Sequence, residues 1–470
     1  MTTKLAIELC DAAFLAAIDS GPVAAPSPGY ALLEGKELLV GRQAQASARL
    51  RPRWVDNRFW DQLGTDPMPR PFPRNLSRAD VAHAHLAQIW GEIQQKTGVG
   101  AETASVLLAA PGSFSVAQLG LILGMARAGG IPVSGMVDAA LAAVACEVAA
   151  PRLLHLDVLL HCWVWTELRH DGELARQRVE VLGRGGLVKI WDAWAKRIAE
   201  LLVRQTRFDP FHHGQAEQSL YDRLPEWLES LTGQGHVQVT LESSDKERTV
   251  ELDGASAVAV TGELIAPVTE MARLLVGSGE QPMLALSSRA ARVPGLADAL
   301  SRSMDAGIVD LDEDAATRGT LIFAEQIESP ASELPFVTRL PAELRAEIKP
   351  ASLSRAPNPP RFPAQRPAPT HVLFEGYACP IDREPLWLGA AIEAGARGVD
   401  VGGPMPGLSR MHCTLSKQDG RVLIEDHSRY GTYLNGTRIV DKAECAVGDR
   451  IRLGSPGVEL LLITVADADV

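Results

Sequence analysis

Short apolar runs alternate with helically spaced apolar residues through the first 330 positions of this chain. KLAIELC, ASVLLAAP, RLLHLDVLLHCWVWTEL, HVQVTLES and PMLALSS read as strands. AQLGLILGMARAGG, MVDAALAAVACEVA, LVKIWDAWAKRIAELLVRQT and ELIAPVTEMARLLVGS carry apolar residues at helical spacing. Strands and helices in this order predict an α/β protein with layered sheets. The last hundred residues differ. They contain short strand-like strings separated by turn residues, which predicts an all-β unit.

Between the two lies a segment of another kind. From Pro330 to Pro369 the chain carries ten prolines, most densely in RAPNPPRFPAQRPAP. Proline lacks an amide donor and fixes φ, so this stretch is expected neither to join a sheet nor to sustain a helix, apart from one or two turns in LPAELRAEI. An extended tether at roughly 3 Å per residue would separate its flanks by tens of ångströms. A loop packed on the surface is the other reading. The predicted organisation is a body over 1–328, a proline-rich linker over 329–370 and a β head over 371–470.

Composition narrows the function classes. The 470 residues suffice for roughly three domains with their own cores, and 46% of them are hydrophobic. The net charge of -12 and the lack of a long basic run argue against nucleic acid or an anionic membrane as partner. The N-terminal MTTKLAIELCDAAFLAAI is interrupted by Glu8 and Asp11, which makes it a poor signal peptide and too short and charged for membrane insertion. A cytoplasmic protein is expected. None of the six cysteines forms a C-x-x-C pair, so buried free thiols are expected rather than zinc or disulfides.

The head carries GLSRMHCTL, IEDHSRYGTYLNGTRI and VGDRIRLG in that order. Ser409-Arg410-x-His412, Gly431-Thr432 and Asn435-Gly436 stand at the spacing of the forkhead-associated (FHA) domain, which residues 371–470 resemble. The resemblance implies a β-sandwich that reads phosphothreonine in partner proteins. It places Ser409 at the phosphate-binding serine, Arg410 at a peptide- or phosphate-contacting position and Arg429 where a phosphate-contacting side chain often stands. His412 falls on a histidine that holds the loop internally. Two positions depart: the family's Gly-Arg is Gly389-Ala390, and its peptide-orienting asparagine falls on Tyr430. Arg397 is a candidate replacement for the lost arginine. Two readings follow: phosphothreonine-dependent binding, or a sandwich that docks partners, or its own N-terminal domain, without phosphate.

The body resembles the actin-like ATPase domain of DnaK-type heat-shock chaperones, by order and spacing over 1–328. KLAIELCDAAFLAAI sits at that family's first phosphate hairpin, LLHLDVLLHCWVWTEL at its second, and MLALSSRAARVPGLADALSRSM on its adenosine side. The implied fold is a two-lobed actin-like α/β body. Glycines in such hairpins let backbone amides approach phosphate oxygens, and acidic residues position magnesium. In this chain the first glycine is Cys10, followed by Asp11 and Ala12, with Glu8 the one acid kept near the metal position. The second hairpin's glycine triplet is Leu159, Leu160 and His161. The adenosine-side glycine pair is Ser288 and Arg289, although Arg292, Val293 and Pro294 keep the pattern. RPRWVDNRFWDQLG offers no catalytic lysine, and no peptide-binding domain follows the body.

These departures predict a degenerate ATPase with no catalytic residue, no metal and no cofactor: a non-enzymatic adaptor whose head recruits phosphothreonine-containing protein. The competing expectation is a chaperone-like switch that still holds ATP and Mg, and a third is a filament protein. Gly183-x-Gly185-Gly186 reads as a turn before a helix, because no P-loop lysine follows. His83-x-His85 and His212-His213 lack metal-ligating neighbours. Trp163, Trp165, Trp191 and Trp194 read as core aromatics, and RQTRFDPFHHGQAEQSLYDRLPEWLESL as a segment packed internally.

Overall fold

Two six-stranded sheets organise the body in a computed structural model of the chain. The first contains β1 (Thr3–Glu8), β2 (Leu15–Ile18), β3 (Gly21–Pro22), β4 (Ala104–Ala110) and β5 (Val133–Asp138). The second contains β6 (Arg152–Val158), β7 (Trp163–His170), β8 (Leu174–Leu182), β9 (Met283–Leu286) and β10 (Ile308–Asp310). Each begins as an antiparallel meander, β1-β2-β3 or β6-β7-β8. Each then adds two parallel strands on the far side of its first strand, giving the same order twice: β3-β2-β1-β4-β5 and β8-β7-β6-β9-β10. β4 and β6 are inner strands covered from both sides: β4 is almost wholly apolar, and β6 is buried along its length although it carries Arg152, His155 and Asp157.

The sixth strand of each sheet comes from the proline-rich segment. β11 (Phe336–Val337) pairs parallel with β5, and β12 (Arg339–Leu340) pairs antiparallel with β8. The expectation that this stretch stays out of sheets fails here. Pro335 and Pro341 flank the five residues, and none of the five is proline, so their amides remain available for pairing. Leu340 is fully buried, and the Arg176 amide donates to the Thr338 carbonyl at 2.9 Å.

The helices cover the sheets and fill the space between them. Ser77 and Asp80 form a capping box at the start of helix Arg78–Thr97, and left-handed Gly98 ends it. Helix Leu187–Thr206 buries Ile190, Trp194, Ile198 and Leu202 against the second sheet, where Trp163 and Trp165 also lie. Trp191 is partly buried against the same core. Helix Gly214–Gln234, within the segment expected to pack internally, buries Leu220, Leu224, Trp227 and Leu231. Helices Ala139–Ala145 and Ala315–Ile322 sit in a core shared by both sheets, with Leu107, Val137, Leu153, Leu168 and Leu340. Their small residues permit close crossing: a Cβ at Gly319 would overlap the Ala142 carbonyl oxygen. Residues 136–138, read from sequence as the start of a helix, end β5 instead, and Asp138 caps the helix that follows.

The chain divides into two units, Met1–Pro357 and Asn358–Val470. The structure describes residues 2–19, 21–148, 150–183, 185–243, 246–276, 281–304, 306–329, 334–341, 368–374, 377–393, 395–401, 408–418, 420–434, 437–439, 441–454 and 458–464. The helical turns expected in LPAELRAEI lie outside these residues from position 342 onward, as does the turn dipeptide Asn435-Gly436.

The second unit is all-β. One sheet runs Tyr377–Pro380, His371–Phe374, Val458–Ile463, Arg450–Leu453, Thr432–Leu434 and Thr437–Arg438. The other runs Gly398–Asp400, Leu386–Gly389, Cys413–Gln418, Arg421–Asp426 and Lys442–Cys445. Val372, Leu388, Leu415, Ile424, Ile451 and Leu462 are fully buried and form its core. Among the described residues no helix is long and apolar enough to cross a membrane.

Candidate functional sites in the body cleft and the head loops

The hairpin turns β1-β2 and β6-β7 meet in the body. Leu159 packs on Cys10, with Cys162 and Val164 beside them. Leu160 is fully buried against Tyr30, Leu32 and Ala44. The Leu160 amide donates to Asp11 Oδ1 at 2.9 Å, and the His161 ring bonds the Asn57 carbonyl at 3.0 Å. The second hairpin therefore inserts into the first half of the body. Gly186, at the base of helix Leu187–Thr206, adopts φ +99°, and a Cβ there would also lie 2.6 Å from the Leu160 oxygen, so the position requires glycine on both counts. The glycines at 185 and 186 let the helix approach this hairpin, which agrees with their reading as a turn before a helix.

Behind the hairpins Arg289 bridges the two sheets. Its Nη2 donates to Glu8 Oε1 at 2.6 Å and to Asp157 Oδ2 at 2.9 Å, and its Nε to Asp157 Oδ1 at 3.2 Å. Ser287 Oγ donates to the same Asp157 oxygen at 2.5 Å. Glu8, Cys10 and Asp157 each offer an atom within 4.8 Å of the others, a donor set that could hold a metal ion. The guanidinium already engages both carboxylates of that set.

Burial and charge work against each other here. Burial pushes the Glu8 carboxyl up, although Arg289 partly opposes it. Burial also works to raise Asp157, but the charge and hydrogen bonds of Arg289 carry it below the usual carboxylate range. Burial drives the Cys10 thiol well up, so it is neutral at physiological pH. Asp11 is pushed up to about 7 by burial, which its hydrogen bond from Leu160 only partly offsets. The space left among Glu8, His155, Asp157, Ser288 and Glu313 is about 20 Å³. That is room for about one water, whereas small-molecule sites run from roughly 300 Å³ upward. Glu8 Oε2 and His155 Nδ1, which face no protein partner, belong to residues lining this space.

A second contact closes the body farther out. Gln218 accepts from the Arg49 amide at 2.8 Å and donates to the Gln45 carbonyl at 3.1 Å. The Arg49 guanidinium lies 3.4 Å over the Tyr221 ring and bonds Asp192. His85 is buried between Ser27 and Trp60, and burial holds it down to about 3, so it is a neutral core residue.

In the head, the loops before Cys413–Gln418 and after Arg421–Asp426 are clipped together. His412 Nδ1 accepts from the Ser409 amide at 3.1 Å, and its Nε2 bonds the Gly431 carbonyl at 3.2 Å. His412 is thus an internal brace, as its place in the sequence implied. Ser409 Oγ accepts from the Arg429 amide at 3.2 Å, which brings Ser409, Arg410 and Arg429 to one loop pair. Arg410 and Arg429 are exposed and have no acidic partner among the described residues. Tyr430 is 52% exposed beside them.

Arg397 does not replace the arginine absent at Ala390. It bonds the Pro380 carbonyl and forms an ion pair with Asp382 at 2.9 Å, on another loop. Arg438 was missed by sequence reasoning. A Cβ on Gly431 would lie 2.6 Å from its Nε, so its guanidinium rests against the Arg429–Gly431 turn. Sequence offered no signal for it, since an arginine at a strand end is ordinary.

With this geometry in view, comparison with known proteins is informative for the head. No curated protein matches the chain. The model of the FHA domain matches residues 396–454, the stretch that holds Ser409, Arg410, His412, Arg429 and Gly431. The chain carries an FHA domain there, a protein-recognition module of the phosphopeptide-binding kind, within a mixed α/β and all-β architecture.

Proposed function

We propose that this protein is a non-enzymatic adaptor with a degenerate, heat-shock-chaperone-like body of the actin-like fold and an FHA head that takes phosphothreonine-containing protein. The observation that carries the body's part is Arg289, whose guanidinium joins Glu8 to Asp157 where the resemblance places magnesium and phosphate. Leu159 packs on Cys10, the residue standing at the hairpin glycine's place, and Leu160 is buried against Tyr30, Leu32 and Ala44. The repeated strand order of the two sheets, with two helices between them, supports an actin-like fold. The reading of a nucleotide-binding switch requires both Leu160 and Arg289 to leave buried positions.

For the head, a phosphate dianion needs several charge-assisted donors. Ser409 and the exposed, acid-free Arg410 and Arg429 form the set that supports this reading. Calorimetric titration of Mg-ATP and ADP into the full chain tests the body. No heat is expected at high micromolar nucleotide, and clear one-site binding would overturn the pseudo-ATPase reading. Anisotropy with a degenerate phosphothreonine peptide pool and its unphosphorylated counterpart tests the head. Preference for the phosphorylated pool, abolished by Ser409→Ala, is the expected result.

A further inference from the structure

We propose that Arg438 is a third phosphate-contacting guanidinium of the head, supplying from the Thr437–Arg438 strand the charge that Ala390 lacks. The proposal rests on the phosphopeptide reading and deepens it. Arg438 pairs with Tyr433 across a short antiparallel ladder, and its side chain runs diagonally back to Gly431. Gly431 makes this possible: it adopts φ +84°, and a Cβ would sit 2.6 Å from Arg438 Nε and 3.1 Å from Cζ. The guanidinium therefore lies against the turn that carries Arg429, whose amide already bonds Ser409 Oγ.

Other arginines of the head are engaged elsewhere: Arg397 pairs with Asp382 and Arg421 with Glu444, while Arg452 stacks over Tyr433. Arg438 is exposed and, among the described residues, has no acidic partner. Arg410 follows Ser409 in sequence, the Arg429 amide bonds Ser409 Oγ, and Arg438 lies against the same turn, so three positive charges belong to this loop pair. A phosphate monoester carrying nearly two negative charges at neutral pH matches that set. A carboxylate, with one charge, matches it less well, so a phosphorylated residue rather than an acidic one is the favoured ligand.

The test uses the full chain, fluorescence anisotropy, and the degenerate phosphothreonine peptide pool beside its unphosphorylated and glutamate-substituted versions. Arg438→Ala is expected to weaken binding of the phosphorylated pool about tenfold or more, the range of one lost charge-assisted hydrogen bond. Arg438→Lys should recover part of this, because it restores charge without the planar fork. Weak binding of the unphosphorylated pool should not change. Arg421→Ala, which removes an arginine already paired with Glu444, should bind as the parent does. The melting temperature of each variant establishes that it is folded. If Arg438→Ala keeps the parent's affinity while Ser409→Ala loses it, the phosphate site stands and Arg438 has no part in it. If the parent does not distinguish the three pools, the phosphopeptide reading falls and this inference with it.

Discussion

Replacing Arg289 with alanine removes the cation on which the centre of the body depends. Its side chain is 11% exposed and makes three hydrogen bonds to two carboxylates, from 2.6 to 3.2 Å. At an effective dielectric of about 20, one such pair near 3 Å attracts by about 6 kcal/mol, before the desolvation that offsets most of it. The variant is worse than the loss of that net term. It leaves Glu8 and Asp157 buried, close together and unneutralised. Removing one partner of a buried pair costs about 3–5 kcal/mol. For a body of this size, at about 1.4 °C per kcal/mol, that corresponds to a fall in Tm of about 4–7 °C.

Thermal and urea unfolding of Arg289→Ala against the parent measures this, and pH gives it a signature. In the parent, Asp157 is depressed below its unfolded value. Its stabilisation is present above the unfolded pKa and is lost as pH falls through the folded one. In the variant both carboxyls rise above their unfolded values, so they penalise folding most where they are forced to ionise, above neutral pH. The gap between the two proteins should therefore be widest near pH 8 and narrow toward pH 4–5, as the variant's carboxyls take up protons. Adding Glu8→Gln and Asp157→Asn to an Arg289→Met background should return most of the lost stability, because no buried charge then remains. A variant that melts within about 1 °C of the parent at neutral pH, or a triple variant as unstable as the single, would refute the reasoning.

Two further outcomes test neighbouring features. Burial pushes Asp11 up to about 7 from the ordinary carboxylate value of about 4, so its contribution is fully present below about pH 4 and lost as pH rises through 7. Asp11→Asn keeps an acceptor for the Leu160 amide, so it should match the parent near pH 4 and exceed its unfolding free energy by roughly 4 kcal/mol above pH 7. A pH-independent difference would contradict the assignment. Gly389→Ala would drive a Cβ into the Arg410 carbonyl oxygen. It should destabilise the head by about 1–3 kcal/mol and abolish phosphopeptide binding, as read by amide exchange and anisotropy, with body amides unchanged.

Much of this arrangement was legible along the chain, where the information is local. The inner strands of both sheets are apolar runs, and the hairpin departures at Cys10 and Leu159 to His161 stand beside recognisable strands. The head's braced loop follows from Ser409-x-x-His412, three residues apart. What the sequence hid is long-range pairing. Glu8, Asp157 and Arg289 each mark an isolated position, but their mutual neutralisation depends on the two sheets closing over separations of 132 and 281 residues. Proline density concealed β11 and β12, because the average over the segment masks a proline-free window of five. The helically spaced apolar residues after Asp138 made the strand end at Met136 and Val137 resemble a helix start. Arg397 looked available only because Asp382, its partner, lies on another strand's loop.

The body and the head use arginine in opposite ways, and that contrast bears on mechanism. A ligand can drive a conformational change only through differential affinity for two states. In the body, the closing interactions are internal: Arg289 with Glu8 and Asp157, Leu160 in its apolar socket, Gln218 with Arg49 and Gln45. On the proposed reading, a nucleotide entering between Glu8 and Asp157 would first have to break the Arg289 ion pairs, at a cost of several kcal/mol. Among the described residues, the head's Arg410, Arg429 and Arg438 have no acid to displace, and an incoming phosphate would meet exposed donors. On the proposed reading, ligand-dependent behaviour is therefore expected at the head rather than at the body.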